Sequence, residues 1–171
     1  AAYFAYDAAG SMLHARELTE GTAYWAYDAL GRMTEQKFVT GGAAYYTYDA
    51  VGNRKQLTYP SGGTAYYEYD AASRMSGVKA PSGNSATYEY DAAGARARSV
   101  WGNGTYAYYA YDTPGRLSSI RHHASDGSAL AYYDYSRDAR GDITKIAQLD
   151  GLTTYYDYDD VGRLTYERWQ D

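Results

Sequence analysis

The fold of this chain is decided by a short motif whose clearest copy is residues 25–33, WAYDALGRM. An aromatic residue and one variable residue precede the pair Tyr27-Asp28, and two small or apolar residues, a glycine, an arginine and an aliphatic residue follow it. Equivalent aspartates stand 21 residues apart in six of the seven intervals and 26 apart in the other. They are Asp7, Asp28, Asp49, Asp70, Asp91, Asp112, Asp138 and Asp159. Such a period predicts stacked structural units rather than a catalytic domain.

Within each copy, the four residues that begin with the aspartate predict a tight hairpin turn. Asp28 can accept hydrogen bonds from the turn backbone, and Gly31 adopts positive φ at little cost. Together they are typical of a type I turn followed by a left-handed glycine, as in three-residue hairpin loops. Pairing outward from this turn sets Asp28 opposite Arg32 and Tyr27 opposite Met33.

A second set of turn signals lies about half a period away. These signals are rich in glycine, proline, asparagine and aspartate, and they fall at residues 40–42, 60–63, 81–84, 102–104, 126–127 and 150–151. Two turns per unit predict an all-β fold of antiparallel β-hairpin repeats with about sixteen short strands. Because so wide a sheet must twist, we expect a curled or spiralling sheet that resembles a solenoid or shell.

The whole chain is therefore interpreted as one array of eight repeats. The approximate units are residues 1–21, 22–42, 43–63, 64–84, 85–105, 106–129, 130–152 and 153–171. The chain starts in phase with the repeat, and we interpret it as a segment of a longer array. Open strand edges would then be covered either by flanking repeats or by copies that stack head to tail.

The motif recurs at residues 46–54, YTYDAVGNR, and at residues 109–117, YAYDTPGRL. With eight such motifs in phase, the chain resembles the YD-repeat family, also called the Rhs-repeat family. The signature residues are Tyr6, Asp7, Gly10, Tyr27, Asp28, Gly31, Arg32, Tyr48, Asp49, Gly52, Tyr69, Asp70, Arg74, Tyr90, Asp91, Gly94, Tyr111, Asp112, Gly115, Arg116, Tyr135, Asp138, Gly141, Tyr158, Asp159, Gly162 and Arg163.

The resemblance implies a strand-turn-strand repeat that spirals into a large hollow β-shell. In bacterial members the shell surrounds a toxic C-terminal domain, in insecticidal toxin complexes it forms a cocoon, and in teneurins it is an extracellular barrel used in cell adhesion. Members that cleave themselves carry a segment with an Asp-Pro pair after the repeats, and this chain contains no such pair. The implied role is a non-enzymatic scaffold that is secreted or displayed at the cell surface.

Some repeats depart from the pattern. Ser73 replaces a turn glycine, whereas Ala95 and Asp142 replace the arginine. In the seventh unit Tyr135 is separated from Asp138 by two residues, and three more residues precede it. We predict a bulge near Ser136, because a two-residue insertion preserves the facing of a strand, and a longer loop at residues 122–130.

Composition restricts the partners. A formal net charge of −5 argues against a nucleic-acid surface, which needs a basic patch. The chain has no cysteine, and hence neither disulfides nor thiol chemistry. No apolar run approaches the roughly 20 residues of a membrane-spanning helix. The expected partners are other YD repeats and an enclosed polypeptide or a surface glycan or protein.

Each candidate catalytic or metal-binding residue has a structural interpretation. The recurring aspartates and arginines, such as Asp28 with Arg32, are typical of turn caps with cross-strand ion pairs, each worth less than about 1 kcal/mol when exposed. Glycosidic cleavage would need an isolated pair of acids in different environments. His122 and His123 are adjacent and would point to opposite faces of a strand, and the other histidine is His14. We therefore assign no catalytic residue, no metal site and no cofactor.

Two aromatic rows leave an alternative open. Alternation places Trp25, Tyr27 and Met33 on one face and Tyr24, Asp28 and Arg32 on the other. If the first row is buried, its rings stack between units and supply most of the stability. If the second row is exposed, it forms a ligand platform for sugars or a partner protein. The first row is Trp25, Tyr46, Tyr67, Tyr88, Tyr109 and Tyr156, and the second is Tyr24, Tyr45, Tyr66, Tyr108, Tyr132 and Tyr155.

Overall fold

The computed structural model describes residues 2–17 and 21–170, and within these residues it contains sixteen β-strands and no helix. The strands are β1 (Ala2–Tyr6), β2 (Met12–Glu17), β3 (Gly21–Tyr27), β4 (Met33–Lys37), β5 (Ala43–Tyr48), β6 (Arg54–Thr58), β7 (Thr64–Tyr69), β8 (Met75–Lys79), β9 (Ser85–Tyr90), β10 (Arg96–Trp101), β11 (Tyr106–Tyr111), β12 (Leu117–His123), β13 (Ala129–Arg137), β14 (Ile143–Gln148), β15 (Thr153–Tyr158) and β16 (Leu164–Gln170).

Within each of its two compact units, the strands pair in the order of the sequence, so that successive strands form hairpins. The pairing is antiparallel, as between β5 and β6 in the first half of the chain and between β11 and β12 in the second. By its contacts the chain divides into two compact units, Ala1–Ser85 and Ala86–Asp171. The predicted all-β fold of antiparallel hairpin repeats is confirmed.

The turn after each Tyr-Asp pair has the predicted geometry. The Asp28 N–H donates to the Arg32 carbonyl oxygen at 2.9 Å, and the Gly31 N–H donates to the Asp28 carbonyl oxygen at 2.9 Å. Gly31 has φ +74°, the left-handed conformation that glycine adopts without steric cost. Tyr27 pairs with Met33, as expected, and the register shifts between Ala26 and Tyr27. This shift is the bulge that accompanies such a turn.

The turns at the other ends of the strands have the same geometry. The Tyr59 N–H donates to the Gly63 carbonyl oxygen at 2.8 Å, and the Gly62 N–H donates to the Tyr59 carbonyl oxygen at 2.8 Å. Gly62 has φ +89°. The second set of predicted turns is therefore confirmed, and in the described residues both sets of turns have the same hydrogen-bond pattern.

The two faces of the sheet differ in burial. In each compact unit, one face carries alanines of which 0 to 8 % is exposed: Ala44 and Ala65 in the first unit, and Ala86 and Ala107 in the second. On strand β5, Tyr46 and Tyr48 lie on the same face as Ala44 and are half-buried, whereas Tyr45 and Thr47 are exposed on the other. We call these faces the alanine face and the open face. Small side chains on the alanine face leave room for the large rings beside them.

The seventh repeat corrects one prediction. The loop between β12 and β13 comprises residues 124–128, and the corresponding loops at residues 38–42 and 59–63 are equally long. The predicted longer loop at residues 122–130 is therefore wrong. The inserted residues extend the strands instead, because β12 has 7 residues and β13 has 9. In a strand their backbone groups join the hydrogen-bond ladder, which a longer loop would not provide.

The predicted bulge near Ser136 is present, since the register shifts between Ser136 and Arg137. It lies at the same place before the turn as the bulge of the other repeats. A further shift between His122 and His123 accommodates the extra residues of the inserted segment. This second bulge keeps the faces of both strands in phase.

Candidate functional site

The aspartate of each motif is a turn cap. Oδ1 of Asp28 accepts hydrogen bonds from the Leu30 N–H at 2.9 Å and the Arg32 N–H at 3.0 Å, while Oδ2 accepts from Arg32 Nε at 2.7 Å. The backbone N–H of Arg32 is the main reason that the pKa of Asp28 lies below its ordinary value. The same carboxylate–guanidinium pair recurs at Asp70 with Arg74, Asp112 with Arg116 and Asp159 with Arg163.

The motif tyrosine joins consecutive repeats in at least four places. The Tyr48 hydroxyl donates to the carbonyl oxygen of Met33 at 2.7 Å, across 15 residues of sequence. Burial raises the pKa of Tyr48 above its ordinary value. The same bond recurs from Tyr69 to Arg54 at 3.1 Å, from Tyr111 to Arg96 at 3.0 Å and from Tyr158 to Ile143 at 2.9 Å. The sequence predicted the position of these tyrosines within the repeat. It did not predict the backbone carbonyl oxygens that accept their hydrogen bonds.

The seventh repeat assigns this position to a different residue. Arg137 pairs with Ile143, as Tyr111 pairs with Leu117 in the preceding repeat. Tyr135 pairs instead with Ile146, the position that corresponds to Tyr109. Arg137, rather than the Tyr135 of the sequence-based signature, therefore stands in the tyrosine position before Asp138.

An arginine links the turns of neighbouring repeats. Nη1 of Arg32 donates to the Asp49 carbonyl oxygen at 3.3 Å, and the guanidinium carbon lies 4.7 Å from the centre of the Tyr48 ring. In the seventh repeat, where Asp142 occupies the arginine position, Nη1 of Arg140 donates to the Asp159 carbonyl oxygen at 3.0 Å. The arginine is thus shared between its own turn and the next one.

The aromatic rows occupy different faces. The second row is exposed by 49 % at Tyr24, 48 % at Tyr45, 48 % at Tyr66 and 47 % at Tyr108. Tyr132 and Tyr155 of the same row are half-buried, with the guanidinium carbons of Arg121 and Arg168 at 4.7 and 4.5 Å from their ring centres.

The first row is half-buried at every position and lies on the alanine face. Arginines cover two of its rings, because the guanidinium carbons of Arg54 and Arg96 lie 4.6 Å from the ring centres of Tyr67 and Tyr88. Cation–π contacts therefore accompany the partial burial of this row, which the sequence had left open.

The two adjacent histidines point to opposite faces. His123 stacks on Tyr106 with ring centres 4.9 Å apart, and His122 stacks on Trp101 with ring centres 6.2 Å apart. Trp101 pairs with Ala86 and therefore lies on the alanine face. Among the described residues, no group of three or more histidines and acids is placed to hold a metal ion.

These side chains cap turns, join repeats and cover one face of a sheet, which defines a tandem β-hairpin repeat protein of the structural type. The sequence profile of the Teneurin YD-shell family matches residues 2–100, and the chain belongs to this family. No curated protein is similar enough to count as a relative. In the described part of the chain, no helix is long and apolar enough to cross a membrane.

Solved structures of the TcdB2–TccC3 assembly have the same fold. The crystal structures of TcdB2–TccC3 and of TcdB2–TccC3–Cdc42 are each 18 % identical in sequence, with a TM-score of 0.81 over 97 % of this chain. TcdB2–TccC3 without its hypervariable C-terminal region is 19 % identical, with a TM-score of 0.74 over 98 % of this chain. This chain spans 10 % of the length of each of those chains. At this identity the likeness concerns the fold alone.

Proposed function

We propose that this chain is a non-enzymatic segment of a YD shell, which encloses a passenger polypeptide or builds an assembly that is secreted or displayed at the cell surface. The observation that carries the proposal is the hydroxyl bond from the motif tyrosine to the preceding repeat, as from Tyr48 to Met33. This bond recurs at four motif tyrosines and holds successive repeats in register.

The acids support the same proposal. A catalytic carboxylate needs a free oxygen directed at a substrate and an environment that sets it apart from its neighbours. Asp28 instead directs both carboxylate oxygens at its own turn and at Arg32, and the other capped repeats use the same bonds. Aspartates that cap equivalent turns in successive repeats are typical of a structural repeat protein.

The partners of the proposed shell are other YD repeats. The matching family is named for a YD shell, and this chain spans 10 % of the length of the TcdB2–TccC3 chain that shares its fold. Flanking repeats or further copies would pair with strands β1 and β16. The enclosed passenger is proposed by analogy with those assemblies.

The test is the solution mass, measured by light scattering over a concentration series, with electron microscopy of the dominant species. Hollow particles, or filaments with an axial repeat that matches eight hairpins, are expected if the chain builds a shell or fibre. A chain that stays monomeric at every concentration would contradict self-assembly as the way in which the scaffold is built.

A second candidate function is glycan or cell-surface binding, and the exposed half of the second aromatic row favours it. Tyr24, Tyr45 and Tyr66 each present about half of their surface to solvent at equivalent positions of successive repeats. Flat aromatic surfaces are suited to stacking against sugar rings. Saturable quenching of tyrosine or tryptophan fluorescence by an oligosaccharide would support this function, and unchanged fluorescence with all glycans tested would oppose it.

A further inference from the structure

We infer that the open face at strands β14 to β16 holds a binding site for an anionic sugar, meaning a pyranose that carries a carboxylate or sulfate group. The site is a groove of about 560 Å³ whose lining includes Lys145, Tyr155, Asp157, Tyr166 and Arg168, together with Ser136, Thr144 and Tyr156. Its volume lies in the range of about 300–1,000 Å³ that is usual for small-ligand sites. The inference rests on the second candidate function and assigns its ligand class.

Sheet register brings the charged and aromatic groups of this site together. Tyr155 pairs with Lys145 on one neighbouring strand and with Arg168 on the other, so all three side chains share one face. The Arg168 guanidinium carbon lies 4.5 Å and the Lys145 ammonium nitrogen 5.8 Å from the centre of the Tyr155 ring. Two cations therefore flank a single ring.

Lys145 differs from two open-face arginines in its charge balance. Arg98 forms an ion pair with Glu89 at 3.0 Å, and Arg121 forms one with Asp134 at 2.6 Å. Lys145 lies between the described strands β13 and β15 and has no acidic partner in an ion pair among residues 21–170. An anion that enters the groove would therefore meet the unpaired ammonium of Lys145 and the guanidinium of Arg168 beside the single carboxylate of Asp157. Guanidinium groups bind carboxylate and sulfate oxygens in two-point geometry.

The remaining groups suit the sugar ring itself. Tyr166 is 55 % exposed and lies on the same face as Arg168, two residues away. It pairs with Asp157, an exposed acid whose carboxylate makes no hydrogen bond in the described part of the chain. An aromatic face can stack on the pyranose, and a free carboxylate can accept its hydroxyls. Cations, ring and acceptor together fit an anionic sugar better than a plain anion.

The experiment is a calorimetric titration of the chain with tetragalacturonate, a carboxylate sugar, at low salt. Its methyl ester serves as the uncharged control, a sulfated galactan tetrasaccharide tests the other source of charge, and inorganic sulfate tests the anion without a sugar. We expect either or both charged oligosaccharides to bind at least about tenfold more tightly than the ester and than sulfate, a factor that corresponds to about 1.4 kcal/mol.

The variant Arg168→Gln tests the residues. We expect it to weaken binding about tenfold, and Lys145→Gln to weaken it in the same direction, because each removes a charged partner of the anion. The matched control is Arg121→Gln, which also removes an arginine from a tyrosine ring, at 4.7 Å, but one already paired with Asp134. This control should change the affinity less than twofold. Circular dichroism of each variant establishes that the sheet is retained.

The outcomes separate this inference from the candidate function on which it rests. Equal binding of the ester and the acid, equal binding of inorganic sulfate, or equal losses in the Arg121→Gln and Arg168→Gln variants would overturn the anionic-sugar site. If the ester binds and Tyr45→Ala abolishes that binding while Arg168→Gln does not, glycan binding stands and this site is refuted. If no oligosaccharide binds, both are refuted.

Discussion

Arg137 donates a hydrogen bond from Nη2 to the carbonyl oxygen of Leu117 at 3.0 Å. This acceptor stands where Met33 and Ile143 accept the hydroxyl of a motif tyrosine in other repeats. The seventh repeat therefore keeps the bond between repeats although it lacks the tyrosine. The insertion before it lengthens the separation of donor and acceptor from 15 to 20 residues without breaking the contact.

Replacing Arg137 by leucine should therefore destabilise the second compact unit, Ala86–Asp171. The Leu117 carbonyl would lose its partner, and a lost hydrogen bond from a charged group costs about 1.5–3 kcal/mol. Arg137→Tyr should be tolerated, because tyrosine makes this bond in the other repeats and because Nη1 of Arg137 is buried without a partner. Urea denaturation of both variants measures the difference, and an Arg137→Leu variant as stable as Arg137→Tyr would contradict this role.

The bond from the Tyr48 hydroxyl to Met33 should contribute measurably to stability. Tyr48→Phe removes only the hydroxyl and should lower the free energy of unfolding by about 0.5–1.5 kcal/mol. The matched control is Tyr45→Phe on the same strand, since Tyr45 lies on the open face and is 48 % exposed. Equal urea midpoints for the two variants would show that the Tyr48 hydroxyl bond does not contribute to the free energy of unfolding.

Ser73 is expected to be a site of stored backbone strain. It has φ +59°, in the left-handed region that costs a residue with a side chain about 1–2 kcal/mol. Ser73→Gly should raise the thermal midpoint, although it removes the 3.2 Å hydrogen bond from Asn53 to the serine hydroxyl. The reciprocal variant, Gly31→Ser, should lower the midpoint through backbone strain alone, because a Cβ there would have no atom within 4 Å. Shifts of the same sign in both variants would refute this account.

The aspartate caps should make stability depend on acidic pH. The pKa values of Asp28 and Asp159 are lowered mainly by backbone N–H donors, and that of Asp70 mainly by the Arg74 side chain. A lowered folded pKa means that the contribution is complete above the unfolded value of about 3.9 and is lost as the pH falls through the folded value. Urea midpoints should be level at pH 5–7 and should decline below about pH 4.

The control for this pH profile is Asp28→Asn, which retains an acceptor for the turn but does not titrate. Its decline below about pH 4 should be shallower than that of the unmodified chain. A profile of the same slope would mean that the caps do not cause the acid sensitivity.

The alanine face should tolerate no larger side chain. Ala107 is 0 % exposed, and Ala107→Leu should cost at least about 1–3 kcal/mol through overpacking. Ala110→Leu is the matched control, because Ala110 lies on the same strand but is exposed. Similar thermal midpoints for the two variants would contradict tight packing of this face.

Local chemistry made the fold predictable from the sequence. The run from Asp28 to Gly31 contains both the acceptor and the positive-φ residue of its turn, so strand pairing followed directly and Tyr27 was placed opposite Met33. Alternation then placed Tyr45 and Tyr46 on different faces, as their burial confirms. Where turn and strand chemistry agree, short-range information is sufficient.

What the sequence could not supply were the contacts between repeats. The acceptor of Tyr48 is a backbone carbonyl oxygen. Because every residue has one, the residue type at position 33 does not identify it. Arg137 was missed because it differs in residue type from the tyrosine that it replaces. The longer loop was predicted wrongly because an insertion between two turns can lengthen either the loop or the strands, and only packing selects the strands.

The Tyr48 hydroxyl and its acceptor, the Met33 carbonyl oxygen, are 15 residues apart, which is less than the 21-residue repeat. This spacing has a genetic consequence. Duplication or deletion of one whole repeat leaves each remaining tyrosine with an acceptor in the unit before it, so a gene can gain or lose 21 codons without a costly intermediate. In the seventh repeat, whose length differs, Arg137 and Arg140 make the bonds to Leu117 and Asp159 that a tyrosine and an arginine make in other repeats. The number of repeats is therefore a trait that unequal recombination can adjust freely, while the content of each repeat stays constrained.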